Sequence, residues 1–344
     1  MSDPRQHEKY ESYEGGSAEA ERLVFEELAR KILRVQAENQ RSGKLNRPVR
    51  AFHAKAPLAV DNARLRFYGE LPRELREGYA QPGAAYRAVV RMSNASGIPQ
   101  ADAARDLRGI AVRIVVTEDE RHDLLMLNLP ASHAANAREF VGFASVMAGA
   151  AHPLRFAWRL LVKLPREVGW STANRMRRTL RGAVGRRVTS LATERYWGQG
   201  PVLWGGAGPV QYQLRPGPGA ADRGKVPADR KNPEYLHAEL AGRLRDGDIA
   251  FELCLQRFVD ERSTPVEDAS HAWDEETAPA VPVAELTIPG QDIDSEQARG
   301  TARRIEQLAF TPWRTTDAFR PLGSLNRSRD AAYGESSSRR LGQA

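Results

Sequence analysis

Tyr86-Arg-Ala-Val-Val-Arg-Met-Ser93 reads as a strand with two unlike faces. Arg87, Val89, Arg91 and Ser93 fall on one side and Ala88, Val90 and Met92 on the other, the period of two that a pleated backbone imposes. One side suits an apolar core. The other carries two arginines and a hydroxyl. Outward along the chain the same period recurs at Ile110, Val112, Ile114 and Val116, and Asp123 to Leu129 is a further strand stopped by Pro130. Ile249, Phe251, Leu253 and Leu255 alternate within 248–258, and Pro282 to Ile288 is a shorter strand. Tyr196 to Leu214, rich in Gly, Trp and Tyr, predicts a loop feeding a strand.

Helical spacing dominates elsewhere. Ala20 to Arg41 places Leu28, Ile32 and Val35 on one face, with Ser42-Gly43-Lys44 to end it. Ala131 to Ala148 is helical, and so is 151–192, with interruptions at Pro165 and Gly169. Ser295 to Phe310 carries an Ala298, Ala302, Ile305, Ala309 stripe, and a last helix runs from about Ser324 towards Arg340. Strands fill the middle and helices collect late, which predicts an α+β fold rather than alternating βαβ units. Residues 1–19 are expected to form a disordered tail and 20–344 a single domain, with a linker-like surface segment at 217–232.

The chain has 344 residues, and its 41% hydrophobic content can build a core. No run of 18 apolar residues spans a membrane, and Met1 to Gly16 has no apolar signal region. The lone Cys254 permits no intrachain disulfide, and a cytoplasmic location fits. Between Ala151 and Ser190 nine arginines and one lysine face a single acid, Glu167, which accounts for the chain's whole excess of +7. A nucleic-acid binder would spread its charge differently. Phe156, Trp158, Leu160, Leu161 and Leu164 interleave with those cations. The segment is either a charged helical cover of the core or a face for peripheral contact with anionic lipid.

No HExxH, CxxC, GxxxxGK[ST] or GxSxG motif is present, and Gly205-Gly-Ala-Gly208 is expected to be a turn, since Pro209 and a strand follow it. Cys254 is expected to be a packed thiol, and Glu267, Asp268, Asp274, Glu275 and Glu276 a solvated acidic loop. Two segments carry chemistry. In Arg50-Ala-Phe-His53-Ala-Lys55 an imidazole stands beside cations. In Arg329-Asp-Ala-Ala-Tyr333 the guanidinium and the phenol share a helix face at i and i+4, and the cation favours the phenolate. Histidine on one side and a tyrosinate on the other would make a haem iron site suited to peroxide. Arg340 lies about two turns beyond Tyr333. Arg50, Arg91 and Arg340 are candidates for binding two propionates, and Ser93 for orienting His53.

These segments resemble the catalase superfamily. Arg50-Ala-Phe-His-Ala-Lys55 is similar to the distal Arg-Val-Val-His-Ala-Lys, Arg91-Met-Ser93 to Arg-Phe-Ser, and Arg105-Asp-Leu-Arg-Gly109 with Ile110-Ala-Val to Arg-Asp-Pro-Arg-Gly-Phe-Ala. Phe140 falls where the family places an aromatic over the haem plane. Gln256, Asp268, Trp273, Val283 and Leu286 track a later barrel segment. Ile305-Glu-Gln-Leu-Ala-Phe310 is similar to Glu-Gln-Ile-Ala-Phe, and Arg329 to Tyr333 to the proximal helix. The resemblance runs from about residue 20 onward. It implies an antiparallel β-barrel core with surrounding helices and no C-terminal flavodoxin-like domain. It also implies haem b, Tyr333 as iron ligand, Arg329 as its partner and His53 as catalytic base.

Two departures stand out. Phe52 replaces a valine before the histidine. The family's Gly-Asn-Asn-Thr-Pro is Met126-Leu-Asn-Leu-Pro130 here. Asn128 is the candidate catalytic amide, although aligning Pro130 puts Leu127 in the catalytic place. The resemblance therefore implies a peroxidase acting on hydrogen peroxide or organic hydroperoxides with a small-molecule reductant, as a homodimer. Lipid hydroperoxide rearrangement of the allene oxide synthase type, or haem binding without turnover, are its alternatives.

Overall fold

The computed structural model describes residues 6–150, 152–217, 220 and 231–342. In chain order the elements are α1 (Ala18–Ser42), β1 (Leu58–Phe67), β2 (Ala85–Asn94), β3 (Arg108–Val115), β4 (Arg121–Leu127) and α2 (Ala137–Met147). Next come α3 (Pro153–Trp158), a π-helical turn (Arg159–Lys163), α4 (Leu164–Val168) and α5 (Trp170–Gly185). The chain continues with β5 (Tyr196–Gly198), β6 (Val202–Trp204), β7 (Pro209–Pro216), α6 (Tyr235–Asp246), β8 (Ile249–Arg257) and β9 (Val281–Ile288). It closes with α7 (Glu296–Glu306), β10 (Phe319–Pro321) and α8 (Ser324–Leu341).

The alternation seen in 86–93 becomes a wall of an antiparallel barrel. β5, β4, β3, β2, β1, β9 and β8 pair in that order, and β7 pairs with both β8 and β5, closing an eight-stranded ring. β6 and β10 extend it from β7. Ala88, Val90 and Met92 point into the barrel core beside Ile110, Val112 and Ile114. The opposite face of β2 is also covered. Val89 packs with Ile305 and Phe310, while Arg91 and Ser93 are buried polar residues. A barrel leaves no open edges, so chemistry must sit on its outer face or at its ends.

Helix α1 starts at Ser17, whose hydroxyl accepts the Ala20 N–H. Its buried stripe includes Phe25, Leu28, Ile32 and Val35. α1 packs along α8 and against α2. No helix among the described residues is long and apolar enough to cross a membrane.

Four expectations need correction. Residues 6–17 are docked rather than disordered: the Glu11 side chain is fully buried against Arg327 and Arg320, and residues 1–5 lie outside the described residues. A carboxylate buried with two guanidiniums holds a polar segment that composition alone would leave in solvent. Pro165 does not interrupt its helix; it stands in the first turn of α4, where its missing N–H is harmless. Gly169, with φ of 83°, makes the break. Tyr196 to Leu214 holds three strands. The acidic loop is partly engaged, with Glu267 on Arg327 and Glu275 on Arg195 and Arg215. Most of the linker-like segment 217–232 lies outside the described residues.

The Gly205–Gly208 stretch is a turn, as expected. The Glu77 carboxylate accepts the Gly206 N–H at 2.7 Å and fills the loop, where it would repel a phosphate. Cys254 is buried in β8, where burial first and Glu252 next push its thiol up to about 12. It is inert packing.

Candidate active site

His53 lies in the coil ahead of β1, with φ of 60°, a left-handed conformation rare outside glycine. Three bonds impose it. The His53 N–H donates to Ala95 O at 3.0 Å, the Ala54 N–H to Ser96 O at 2.9 Å, and Arg91 Nη2 to His53 O at 2.8 Å. His53 Nδ1 is 2.9 Å from Ser93 Oγ, so the hydroxyl fixes the ring and leaves Nε2 for other work.

The floor under the ring is Gly109. A Cβ there would stand 2.6 Å from His53 Cε1 and 3.3 Å from Leu127 Cδ2. Glycine is therefore required by the close approach of the imidazole. Ser93, Gly109 and Leu127 are register partners across β2, β3 and β4, so they share one face. Leu127 and the imidazole both border Gly109.

Asn128 does not join them. One residue along, the pleat turns it away. Its Oδ1 accepts the Arg108 N–H at 2.7 Å, and its Nδ2 donates to Glu194 Oε2 at 2.8 Å. Both ends of the amide are committed to holding β3 to β4 and to the loop after α5. The structure thus corrects the placing of Asn128, the candidate catalytic amide, beside His53.

Charge shapes the imidazole. Burial, then Arg91, Arg50 and Arg329, lower the His53 pKa to about 3. The ring is neutral at ordinary pH. Arg329 is felt there from α8, one turn before Tyr333. Burial raises the Tyr212 phenol to about 12, with Arg329 opposing and Tyr333 adding to the rise. Arg329 Nη1 donates to Asn326 Oδ1 at 2.8 Å and to Gln199 O at 3.2 Å.

The histidine and tyrosine segments are neighbours. Phe52, which precedes His53, and Ala332, which precedes Tyr333, pack on the same apolar cluster as Phe140. Phe52 and Phe140 meet edge to face at 5.5 Å. α1 clamps both segments. Gln36 Nε2 donates to Val49 O at 2.6 Å and to Ser336 O at 3.3 Å, and Asn39 Nδ2 donates to Ala51 O at 3.1 Å.

Arg50, Arg91 and Arg340, the candidates for binding propionates, converge on Glu306 at the C-terminus of α7. Arg91 Nε donates to Glu306 Oε1 at 2.7 Å. Arg50 and Arg340 both donate to the Glu306 and Leu308 carbonyls. Burial alone would raise the Glu306 carboxyl, but Arg91, Arg50 and Arg340 together hold it below its ordinary value. Burial, then Arg91 and Arg340, lower Arg50 to about 9. Its buried Nε has no hydrogen-bond partner. A cavity of about 370 Å³ opens beside Arg50, Arg340 and Glu306.

Glu306 was visible only as part of a motif, and Arg327 carried no signal at all. Arg327, in the first turn of α8, is buried among three carboxylates distant in sequence. It donates to Glu21 at 2.7 and 2.9 Å, Glu11 at 2.8 Å and Glu267 at 2.8 and 3.3 Å. Burial opposes its charge, yet Glu21, Glu267 and Glu11 raise its pKa above the ordinary arginine value. This network anchors the helix that carries Arg329 and Tyr333. Arg327→Met leaves the buried carboxylates unpaired, which is expected to cost about 3–5 kcal/mol. Urea unfolding measures it; a loss below about 1 kcal/mol, the range of a surface pair, would remove the anchoring role.

No protein-family model matches the chain. It is 30% identical over 245 residues to a catalase-related peroxidase of Mycolicibacterium paratuberculosis, covering 70% of this chain and 72% of that one. Its fold is similar to that of a bacterial catalase, with a TM-score of 0.63 at 20% identity over 87% of this chain and 58% of that one. It is likewise similar to catalase A of Saccharomyces cerevisiae, with a TM-score of 0.65 at 17% identity over 87% and 62%. The chain thus spans about three fifths of the length of these two catalases. By its likeness to the mycobacterial protein, in an eight-stranded barrel of the catalase kind, the chain belongs to the catalase-related peroxidases of the catalase superfamily.

Proposed function

We propose that the protein is a haem-dependent peroxidase acting on peroxides, with Tyr333 as iron ligand and His53 as the proton-transfer residue. The observation that carries this reading is the cationic cluster beside the histidine. Arg50, Arg91 and Arg340 face one carboxylate, Glu306. Burying guanidiniums beyond their counter-charge costs several kcal/mol per ion. Two further negative charges would balance the cluster and give a hydrogen bond to Arg50 Nε, which is 3.7 Å from Glu306 and donates none. The two propionates of a haem supply that count. Arg329 shares a helix face with Tyr333, and Phe140 and Phe52 offer ring faces. The residues present fit haem b.

The haem would supply the iron that binds peroxide and the ring system that takes up oxidising equivalents. The chain's own part is proton handling. His53, kept neutral by burial and neighbouring cations, accepts the proton of the near peroxide oxygen at Nε2 and returns it to the departing oxygen. Ser93 holds the ring for both transfers. Leu127, beside His53 where the family's catalytic amide is expected, adds no hydrogen bond to a bound peroxide. Phe52 lies against Phe140. Both features favour a small-molecule reductant over a second peroxide in closing the cycle.

The test is the absorption spectrum of the haem-loaded protein. A ferric tyrosinate spectrum is expected, and Tyr333→Phe should abolish it. A histidine- or thiolate-type spectrum, or one unchanged by Tyr333→Phe, overturns the ligand assignment.

A further inference from the structure

Among the described residues, seven large apolar side chains are exposed, and five of them lie close together in sequence: Leu154, Phe156, Trp158, Leu161 and Trp170. Leu154 is 76% exposed and Trp170 69%. Leu154, Trp158 and Leu161 are spaced i, i+4 and i+7 along a helical run that passes through the π turn, so they form a stripe. The opposite side of this run is already satisfied. Leu164, Ala173 and Met176 are buried, and Leu160 and Val168 pack with them against Phe140, Phe143 and Val146. The exposed stripe is surplus to folding.

Cations border it. Arg155, Arg166, Arg178 and Arg181 are exposed, and none has a carboxylate partner among the described residues, whereas Arg175 and Arg186 are bound to Glu139 and Glu194. On α5 the positions Trp170, Arg178 and Arg181 recur at i, i+8 and i+11, again one face. The Lys163 ammonium lies 5.2 Å from the Trp158 ring.

We infer that α3 to α5 form a docking face for an anionic lipid bilayer. Tryptophan and phenylalanine favour the headgroup boundary. Arginine stems cover apolar surface while their guanidiniums reach phosphates. Large apolar patches on a soluble surface mark interaction sites. A protein partner fits less well, because each of these guanidiniums would need its own acid held in register. A lipid surface supplies fluid, unregistered negative charge. The inference is independent of the haem reading, and its test does not use turnover.

The full chain is mixed with vesicles of phosphatidylcholine, with or without phosphatidylglycerol, and sedimented at low and high salt. Binding is expected only with phosphatidylglycerol. It should be lost at high salt and accompanied by a blue shift of tryptophan emission. Arg155→Gln/Arg166→Gln/Arg178→Gln/Arg181→Gln should weaken it roughly a hundredfold or more, at about 1 kcal/mol per cation. Trp158→Ser/Trp170→Ser should remove the blue shift and weaken binding. Unchanged thermal unfolding serves as the fold control for both variants. Absence of binding to phosphatidylglycerol vesicles overturns the inference, as does equal binding by both variants. So does a lipid-free dimer that Trp158→Ser/Trp170→Ser dissociates, since a second copy would then be the occupant.

Discussion

Haem-loaded protein carrying His53→Ala should turn over peroxide roughly 10²–10⁴ times more slowly than the parent, the range that a positioned proton-transfer group supplies. The site is built around that ring. A left-handed backbone, a hydroxyl at 2.9 Å and a glycine floor all serve to place one imidazole. A left-handed non-glycine residue costs about 1 kcal/mol or more, and a purely structural histidine would not need it. Alanine keeps the Cβ that causes that strain, so the backbone demand is unchanged, and thermal unfolding serves as the fold control for the loss of activity. Ser93→Ala should give a smaller loss, because the ring stays and only its orientation loosens. Steady-state turnover with hydrogen peroxide and an organic hydroperoxide checks both. Equal rates in His53→Ala and parent protein would overturn the assigned role.

The second large effect is on stability in acid. His122 and His133 are buried, His53 is half-buried, and all three are neutral. Burial, with nearby cations at His53 and His133, lowers His53 and His122 to about 3 and His133 to about 4. In the unfolded chain each titrates near 6.5. Above that pH neither state binds the proton and the groups contribute no difference. As pH falls through 6.5 the unfolded state takes up protons that the native state refuses, so stability is lost until the folded pKa values are reached. Each group contributes about 1.4 kcal/mol per pH unit, and the three together about 4. From pH 6.5 to pH 4 that removes about 10 kcal/mol, enough to unfold a domain in the lower half of the usual range of about 5–15 kcal/mol. Urea unfolding at stepped pH between 6.5 and 4.5 measures the slope. His133 lies between Phe140 and Phe143, with a buried Nε2 that has no partner. His133→Leu should flatten the slope by about 1.4 kcal/mol per pH unit. A parent slope near zero would mean that these rings are solvated.

Much of the site's composition could be read from the chain because the signals are local. Alternation puts Arg91 and Ser93 on one face of β2 whatever the rest of the protein does. Helical spacing does the same for Arg329 and Tyr333. Asn128 shows where local reading ends. Strand faces reverse at every residue, so a one-residue slip from the alignment on Pro130 exchanges Leu127 and Asn128. Deciding between them required the pairing of Gly109 with Leu127 and the commitment of Asn128 to Glu194.

The sequence by itself determined the alternating strands, the helix bearing Arg329 and Tyr333, the cation-rich segment after α2 and the arginines available to bind anions. Each depends on periodicity or composition within a few turns. Only the tertiary structure decided that Arg50, Arg91 and Arg340 meet on Glu306, and that Glu11, Glu21 and Glu267 close around Arg327. It also decided that Gln36 ties the histidine segment to the tyrosine helix. These contacts join residues up to some three hundred positions apart. No short-range pattern encodes them. They exist because closure of the barrel brings distant side chains into one poorly solvated volume, where each charge must find an opposite.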